Sequence, residues 1–237
     1  MWILSGTAQS KTISLLDLPS GQLSRPVPAS ATADTLAEAP DGSIVVGLAT
    51  AATGALEVRR GADLHVTETM AVGAPVRSVA ASPDGSTYYA LNGTPQSAAV
   101  TVIRAAERTS TVLPAPSDAA AVRVSRAGDE VYTLQPNGTV TIIATADGKQ
   151  VGHFPTGAGG RAMAVSSDGA SLYVLKGEGA GRNVAVVDLA TQAVTSVLPA
   201  PAGSVDVVLS PDGSTLYQIV GTPDVGNVQV LRLPSHG

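Results

Sequence analysis

The sequence predicts an all-β fold, a β-propeller, on three observations. One tight turn is written five times at nearly constant spacing, short alternating apolar runs flank each copy, and no stretch carries a helical period. The turn reads APDGSIVVG at 39–47, SPDGSTYYA at 82–90, SSDGASLYV at 166–174 and SPDGSTLYQ at 210–218, with a degraded copy, SRAGDEVYTL, at 125–134. Its glycines, Gly42, Gly85, Gly128, Gly169 and Gly213, are 43, 43, 41 and 44 residues apart. A unit of that length is too small to bury both faces of its own sheet, so copies must shield one another.

Each unit resolves into four strands, a to d. Strand a precedes the turn and is rich in Ala, Val and Ser, as the crowded inner strand of a blade requires. It begins near 34, 77, 120, 161 and 204. Strand b follows the turn and begins near 1, 44, 87, 130, 171 and 215. Strand c is the alternating run ISLL (13–16), ALEV (55–58), VTVI (100–103), TVTI (139–142), VAVV (184–187) and VQVL (228–231). Strand d follows a polar turn, as in TSTVLPAP (109–116) and VTSVLPAP (194–201). In the turn itself Pro presets φ, Asp accepts backbone N–H groups and Gly takes positive φ. Asp41, Asp84, Asp168 and Asp212 are therefore read as turn residues and not as catalytic carboxylates.

The tally is one b-c-d blade, four full blades and one a-b-c blade, 22 strands within a single domain spanning 1–237. Six blades with incomplete first and last blades is the reading. The alternative is a seven-bladed parent with most of one blade missing. Open seams leave strand edges exposed, and such edges recruit partners, a second copy included.

The columns VAASPDGSTYYALN (79–92), VSSDGASLYVL (165–175) with NVAVVDLATQA (183–193), and LSPDGSTLYQI (209–219) resemble the YVTN-type β-propeller repeat family. The Trp-Asp and Gly-His marks of WD repeats are absent. The resemblance covers essentially the whole chain and implies a bacterial, extracytoplasmic protein, commonly a non-enzymatic binder, with lactonases and lyases among propellers of related sequence.

Composition narrows function further. The 237 residues include no cysteine, so disulfides, thiolate metal sites and cysteine nucleophiles are excluded. The net charge is −5, with no basic run and one Phe and one Trp, which argues against a nucleic-acid partner. No apolar run approaches a membrane span, and MWILSGTAQS lacks the basic and apolar regions of a signal peptide. His65, His153 and His236 show no metal-ligand spacing, and no Gly-x-Ser-x-Gly elbow exists. No cofactor and no metal are predicted. The Asn-Gly-Thr triplets at 92 and 137 are read as b–c turns.

The candidate site is the mouth of the central channel. The position eight residues before each turn glycine reads Asp34, Arg77, Ala120, Arg161 and Val205, with Asp118 and Asp206 beside it in two copies. Two guanidinium groups suit an anion or carboxylate; alternatively the Arg and Asp residues pair and seal the mouth. The b–c loops NGTPQSAA, KGEGAGRN and GTPDVGN add Lys176, Glu178, Arg182 and Asp224. Three functions follow as expectations: a non-enzymatic propeller binding a protein or small anionic ligand, a lactonase- or lyase-like enzyme, or a structural module of a larger surface protein.

Overall fold

A computed structural model describes residues 1–7, 9–94, 96–221 and 226–234. It is all-β, and the fold is a six-bladed β-propeller. Blade 1 holds β1 (Trp2–Gly6), β2 (Lys11–Asp17), β3 (Gln22–Leu23) and β4 (Val27–Ala29). Blade 2 holds β5 (Ala33–Glu38), β6 (Ile44–Ala49), β7 (Gly54–Arg59) and β8 (Val66–Ala71); blade 3, β9 (Val76–Ala81), β10 (Thr87–Thr94), β11 (Ser97–Arg104) and β12 (Thr109–Pro114). Blade 4 holds β13 (Ala121–Val124), β14 (Glu130–Leu134), β15 (Thr139–Ala144) and β16 (Gln150–Pro155). Blade 5 holds β17 (Ala162–Val165), β18 (Ser171–Lys176), β19 (Asn183–Asp188) and β20 (Ala193–Pro199); blade 6, β21 (Ser204–Leu209), β22 (Thr215–Gly221) and β23 (Gly226–Arg232). In blades 2 to 6, strands adjacent in sequence are adjacent and antiparallel.

Two details differ from the sequence reading. The outer strand of blade 1 is split: β3 pairs the end of β2 and β4 its beginning. Between them lie Arg25 and Pro26, and a proline cannot donate to the ladder. Ser24 bridges the gap, its Oγ accepting from Leu15 N at 2.9 Å. Asn92 is not in a turn. It sits buried inside β10 and donates to Thr101 Oγ1 at 3.0 Å and Val72 O at 3.2 Å. Asn137 does lie in a b–c turn, accepting from Thr139 N at 2.8 Å.

The repeated turn is a small hydrogen-bonded device. Each turn glycine donates its N–H to the residue three before it, and each has φ between 71° and 81°, a region open to glycine at little cost. A serine at that third position does more. Ser82, Ser125, Ser166 and Ser210 accept from the N–H five residues on, at 2.8–3.0 Å. Their hydroxyls donate to Asp84, Asp129, Asp168 and Asp212. The degraded third copy keeps the wiring by placing its aspartate after the glycine. In the first copy, where Ala39 replaces the serine, Asp41 accepts from Ser43 N and Oγ instead.

These bonds favour the ionised carboxylates. The hydroxyl of Ser43 holds Asp41 below its usual range, Ser82 does the same for Asp84, and Ser210 takes Asp212 down to about 2. A folded-state pKa below the unfolded value contributes stability above the unfolded pKa and loses it as pH falls through the folded one. Urea midpoints are therefore expected to drop between about pH 4 and pH 2. An Asp41→Asn/Asp84→Asn/Asp212→Asn variant should show a shallower drop over that window; the same slope as the parent would refute the assignment.

Contacts cluster into two compact units, Met1–Val112 and Leu113–Gly237. In the second unit, alternate residues of β18 face opposite ways. Leu172 and Val174 join Tyr132, Leu134, Val140, Ile142 and Phe154 of blade 4, while Tyr173 and Leu175 join Val207 and Leu216 of blade 6. Both faces of a central blade are buried, so its strands read as continuous apolar runs. The first unit repeats the arrangement. Ile13 packs on Ile44 and Val46, and Val45, Leu56 and Val58 pack on Val76, Val79, Tyr88 and Ile103. Among the described residues no helix is long and apolar enough to cross a membrane.

Candidate functional site

The column eight residues before the turn glycine has a structural identity that spacing alone did not reveal. It is a column of β-bulges. Register slips past Asp34 between Ala33 and Thr35, past Arg77 between Val76 and Ser78, and past Val205 between Ser204 and Asp206. In blades 4 and 5, Ala120 N and Arg161 N donate to Leu134 O and Leu175 O, residues already paired with Ala121 and Ala162. Two residues thus oppose one at the start of every strand a. A bulge re-aims the side chain it carries, which is why bulges recur beside binding sites.

In the first unit, Asp34 is exposed and lies 3.7 Å from Lys11 Nζ, and Lys11 also donates to Ala33 O. Arg77 is half-buried, and its Nη1 is enclosed without a hydrogen-bond acceptor.

In the second unit, three glycine-bearing loops stack in succession: 135–138, 156–161 and 176–182. Pro136 O accepts from Gly159 N at 2.8 Å and Gly160 N at 3.1 Å, and Gly138 O accepts from Thr156 N and Oγ1, both at 2.8 Å. Gly159 packs directly on the Gly177 backbone, and the Lys176 ammonium lies over Gly157. Asp118 accepts from Gln135 Nε2 at 2.6 Å. Asp206 accepts from Val207 N at 2.8 Å and lies 3.8 Å from Arg123 Nη2. Enclosure raises its pKa, while Arg123 and the Val207 N–H pull the other way; 42% of the side-chain surface still meets water, which moderates the shift. The Arg123–Asp206 pair joins β13 to β21 past β17, which packs against both. The inner strands of blades 4, 5 and 6 therefore converge.

Arg161 is exposed and Arg182 half-buried, and among the described residues neither makes an ion pair. The Nε and Nη1 of Arg182 are shielded from solvent and have no acceptor. Desolvation and the neighbouring Arg161 charge lower the Arg182 pKa, with Glu178 opposing in part. Buried donors without acceptors and two like charges side by side are both costly. A bound anion would relieve both costs.

The structure thus brings Arg161 and Arg182 together, pairs Asp206 with Arg123, Asp34 with Lys11, and Asp118 with Gln135. Lys11, Arg123 and Gln135 were missed from sequence. Arg123 left a signal, as a charged residue inside an otherwise Ala/Val inner strand; Lys11 and Gln135 left none. Asp224 and His236 lie outside the described residues. His65 immediately precedes β8 and His153 lies on β16. Among the described residues no three His, Asp or Glu side chains group closely enough to hold a metal ion.

No protein-family model matches this chain. No curated protein matches it either. Among solved structures, a chain of hydrazine synthase from Kuenenia stuttgartiensis is similar, with a TM-score of 0.69 at 18% identity over 86% of this chain. This chain spans 63% of the length of that one. At such low identity the likeness shows a β-propeller fold and nothing about chemistry.

Proposed function

We propose that this chain is a non-enzymatic, extracytoplasmic binding propeller of the YVTN repeat type, whose loop face takes a small anionic ligand through Arg161 and Arg182. One observation carries the reading: the Nε and Nη1 of Arg182 are shielded and acceptor-free, within reach of the charge of Arg161, which makes no ion pair among the described residues. Lys176 and Glu178 flank it on the same loop. Asp34, beside Lys11, and Arg77 hold the equivalent bulge positions in the first unit, and Asp118 and Asp206 supply acidic groups around the loops.

Titration with acetate, citrate and inorganic phosphate, read by calorimetry, tests the proposal. Arg161→Ala/Arg182→Ala is expected to weaken binding by about tenfold or more, the scale of lost charge-assisted hydrogen bonds. The same variant should leave the ligand-free melting temperature unchanged or raised, because it removes a like-charge contact. Unchanged affinity, or a large loss of ligand-free stability, would assign the arginines a structural role instead.

A structural-module reading is favoured by one separate observation. Among the described residues β1 pairs with β2 and β23 with β22 and with no other strand, and Val230 on β23 is exposed. Open edges of this kind accept a further strand. Light scattering decides it: concentration-dependent growth in mass supports strand sharing, and a monodisperse monomer counts against it.

A further inference from the structure

A cavity with a volume of about 460 Å³ lies in the second unit, on blade 4. Thr139, Thr141 and Ile143 of β15 form its floor, one face of the strand at alternate positions. Gln150 and His153 of β16 stand along one side, and Pro114–Ala115–Pro116 form the opposite wall. The wall stays apart from the sheet for a reason the sequence gives. Pro114 ends β12, and Pro114 and Pro116 both lack an N–H, so neither can donate to a ladder.

The lining is polar but carries no charge. Among the lining residues there is no Lys, Arg, Asp or Glu, only two hydroxyls, two amides and one imidazole. Gln135 spends its Nε2 on Asp118, which leaves its carbonyl oxygen. Gln150 Nε2 approaches His153 Nδ1 at 3.4 Å, which leaves the other ring nitrogen. Beside the floor, on the same face of the sheet, Thr133 is fully buried, is the cross-strand neighbour of Thr141, and its hydroxyl has no partner. The repeat shows how unusual that pair is. The same ladder positions hold Gly47 and Leu56 in blade 2 and Val174 and Ala185 in blade 5. In blade 3, Thr101 occupies one of them and Asn92 satisfies its hydroxyl. In blade 6 the positions hold Gln218 and Gln229; among the described residues the pair of hydroxyls belongs to blade 4, where it adjoins the cavity.

We infer that this cleft binds a neutral polyhydroxylated ligand, of mono- or disaccharide size. The volume falls within the range of small-molecule sites. Amides and hydroxyls offer donors and acceptors together, as vicinal hydroxyls require, and the pyrrolidine rings give an apolar wall for the C–H face of a sugar. An ionised ligand would enter without a counter-charge and lose its hydration uncompensated. The inference is independent of the anion site.

The test uses the intact chain with labelled histidine, following the His153 ring resonances by NMR during titration with glucose, N-acetylglucosamine and cellobiose. At least one neutral sugar is expected to shift His153 saturably, with a dissociation constant on the order of 1 mM. Thr141→Val and Gln150→Leu should each weaken that binding about tenfold, the scale of a lost hydrogen bond. Arg161→Ala/Arg182→Ala should leave it unchanged. Gln150 is exposed on an outer strand, so its variant remains informative if Thr141→Val fails to fold. No saturable shift with any of the three sugars would overturn the inference. So would binding of glucuronate as tight as that of glucose, or occupation of the cleft by a proline-rich peptide in preference to the sugars.

Discussion

Leu172→Ala is expected to destabilise the protein by about 2–5 kcal/mol, the range for truncating a fully buried leucine where the surroundings only partly relax. Leu172 has no exposed surface and meets Tyr132, Leu134, Val140 and Ile142 of the preceding blade. Its contacts cross between sheets that are joined by no strand pairing, so side-chain packing is what the two sheets share across their faces. The control is Val197→Ala on β20, where the side chain is 57% exposed and the change should stay within about 0.5 kcal/mol. Urea denaturation reads both, as a shift in midpoint at constant slope for Leu172→Ala. Equal midpoints for the two variants would mean that inter-blade packing does not carry the fold.

That contrast also explains why strands were legible from sequence. A blade between two others buries both faces, so SLYVL and NVAVVD read as unbroken apolar runs, while outer strands such as VTSVLP are exposed and alternate weakly. The inner strands announced themselves by small residues, and the turn by its glycine. What remained hidden was of two kinds. The serine column at 82, 125, 166 and 210 is written in the sequence, but its role is not, because each hydroxyl acts on an N–H five residues away and on an aspartate whose place shifts in the third copy. The bulges were hidden in a stronger sense. A bulge is one residue too many on one strand relative to its partner, and register across two strands is not written in either strand alone.

The candidate site divides along the same line. Spacing from the turn glycine located Asp34, Arg77 and Arg161, because repeat position is a sequence property. Partner choice is not one. Asp206 pairs with Arg123 from two blades away, and Asp34 lies beside Lys11 from the preceding blade. Arg182 came from loop composition, and its importance rests on enclosure of Nε and Nη1, which composition cannot show. The neutral cleft on blade 4 left no motif, because its residue types are ordinary for an outer strand and only their combination with a proline wall opens a cavity.

Gly159→Ala is expected to have the second-largest effect and to link fold to site. Gly159 has φ of 85°, and a Cβ added there would lie 2.6 Å from Gly177 N and 2.8 Å from Gly177 Cα. Those are backbone atoms, so no side chain can swing aside; the two loops must separate. Left-handed strain on a non-glycine residue costs about 1–2 kcal/mol, and the clash adds to it. Gly73→Ala isolates the strain. Its φ is 84°, and an added Cβ meets nothing within 4 Å. The difference between the two variants in urea melts therefore measures the loop contact alone. Because the loop carrying Gly177 runs on to Arg182 while Gly159 is two residues from Arg161, separation should also widen the distance between the two guanidinium groups. Gly159→Ala is expected to weaken anion binding several-fold and Gly73→Ala to leave it unchanged. If Gly159→Ala lost no more stability than Gly73→Ala and bound anions as well as the parent, the stacked loops would not be what positions the arginine pair.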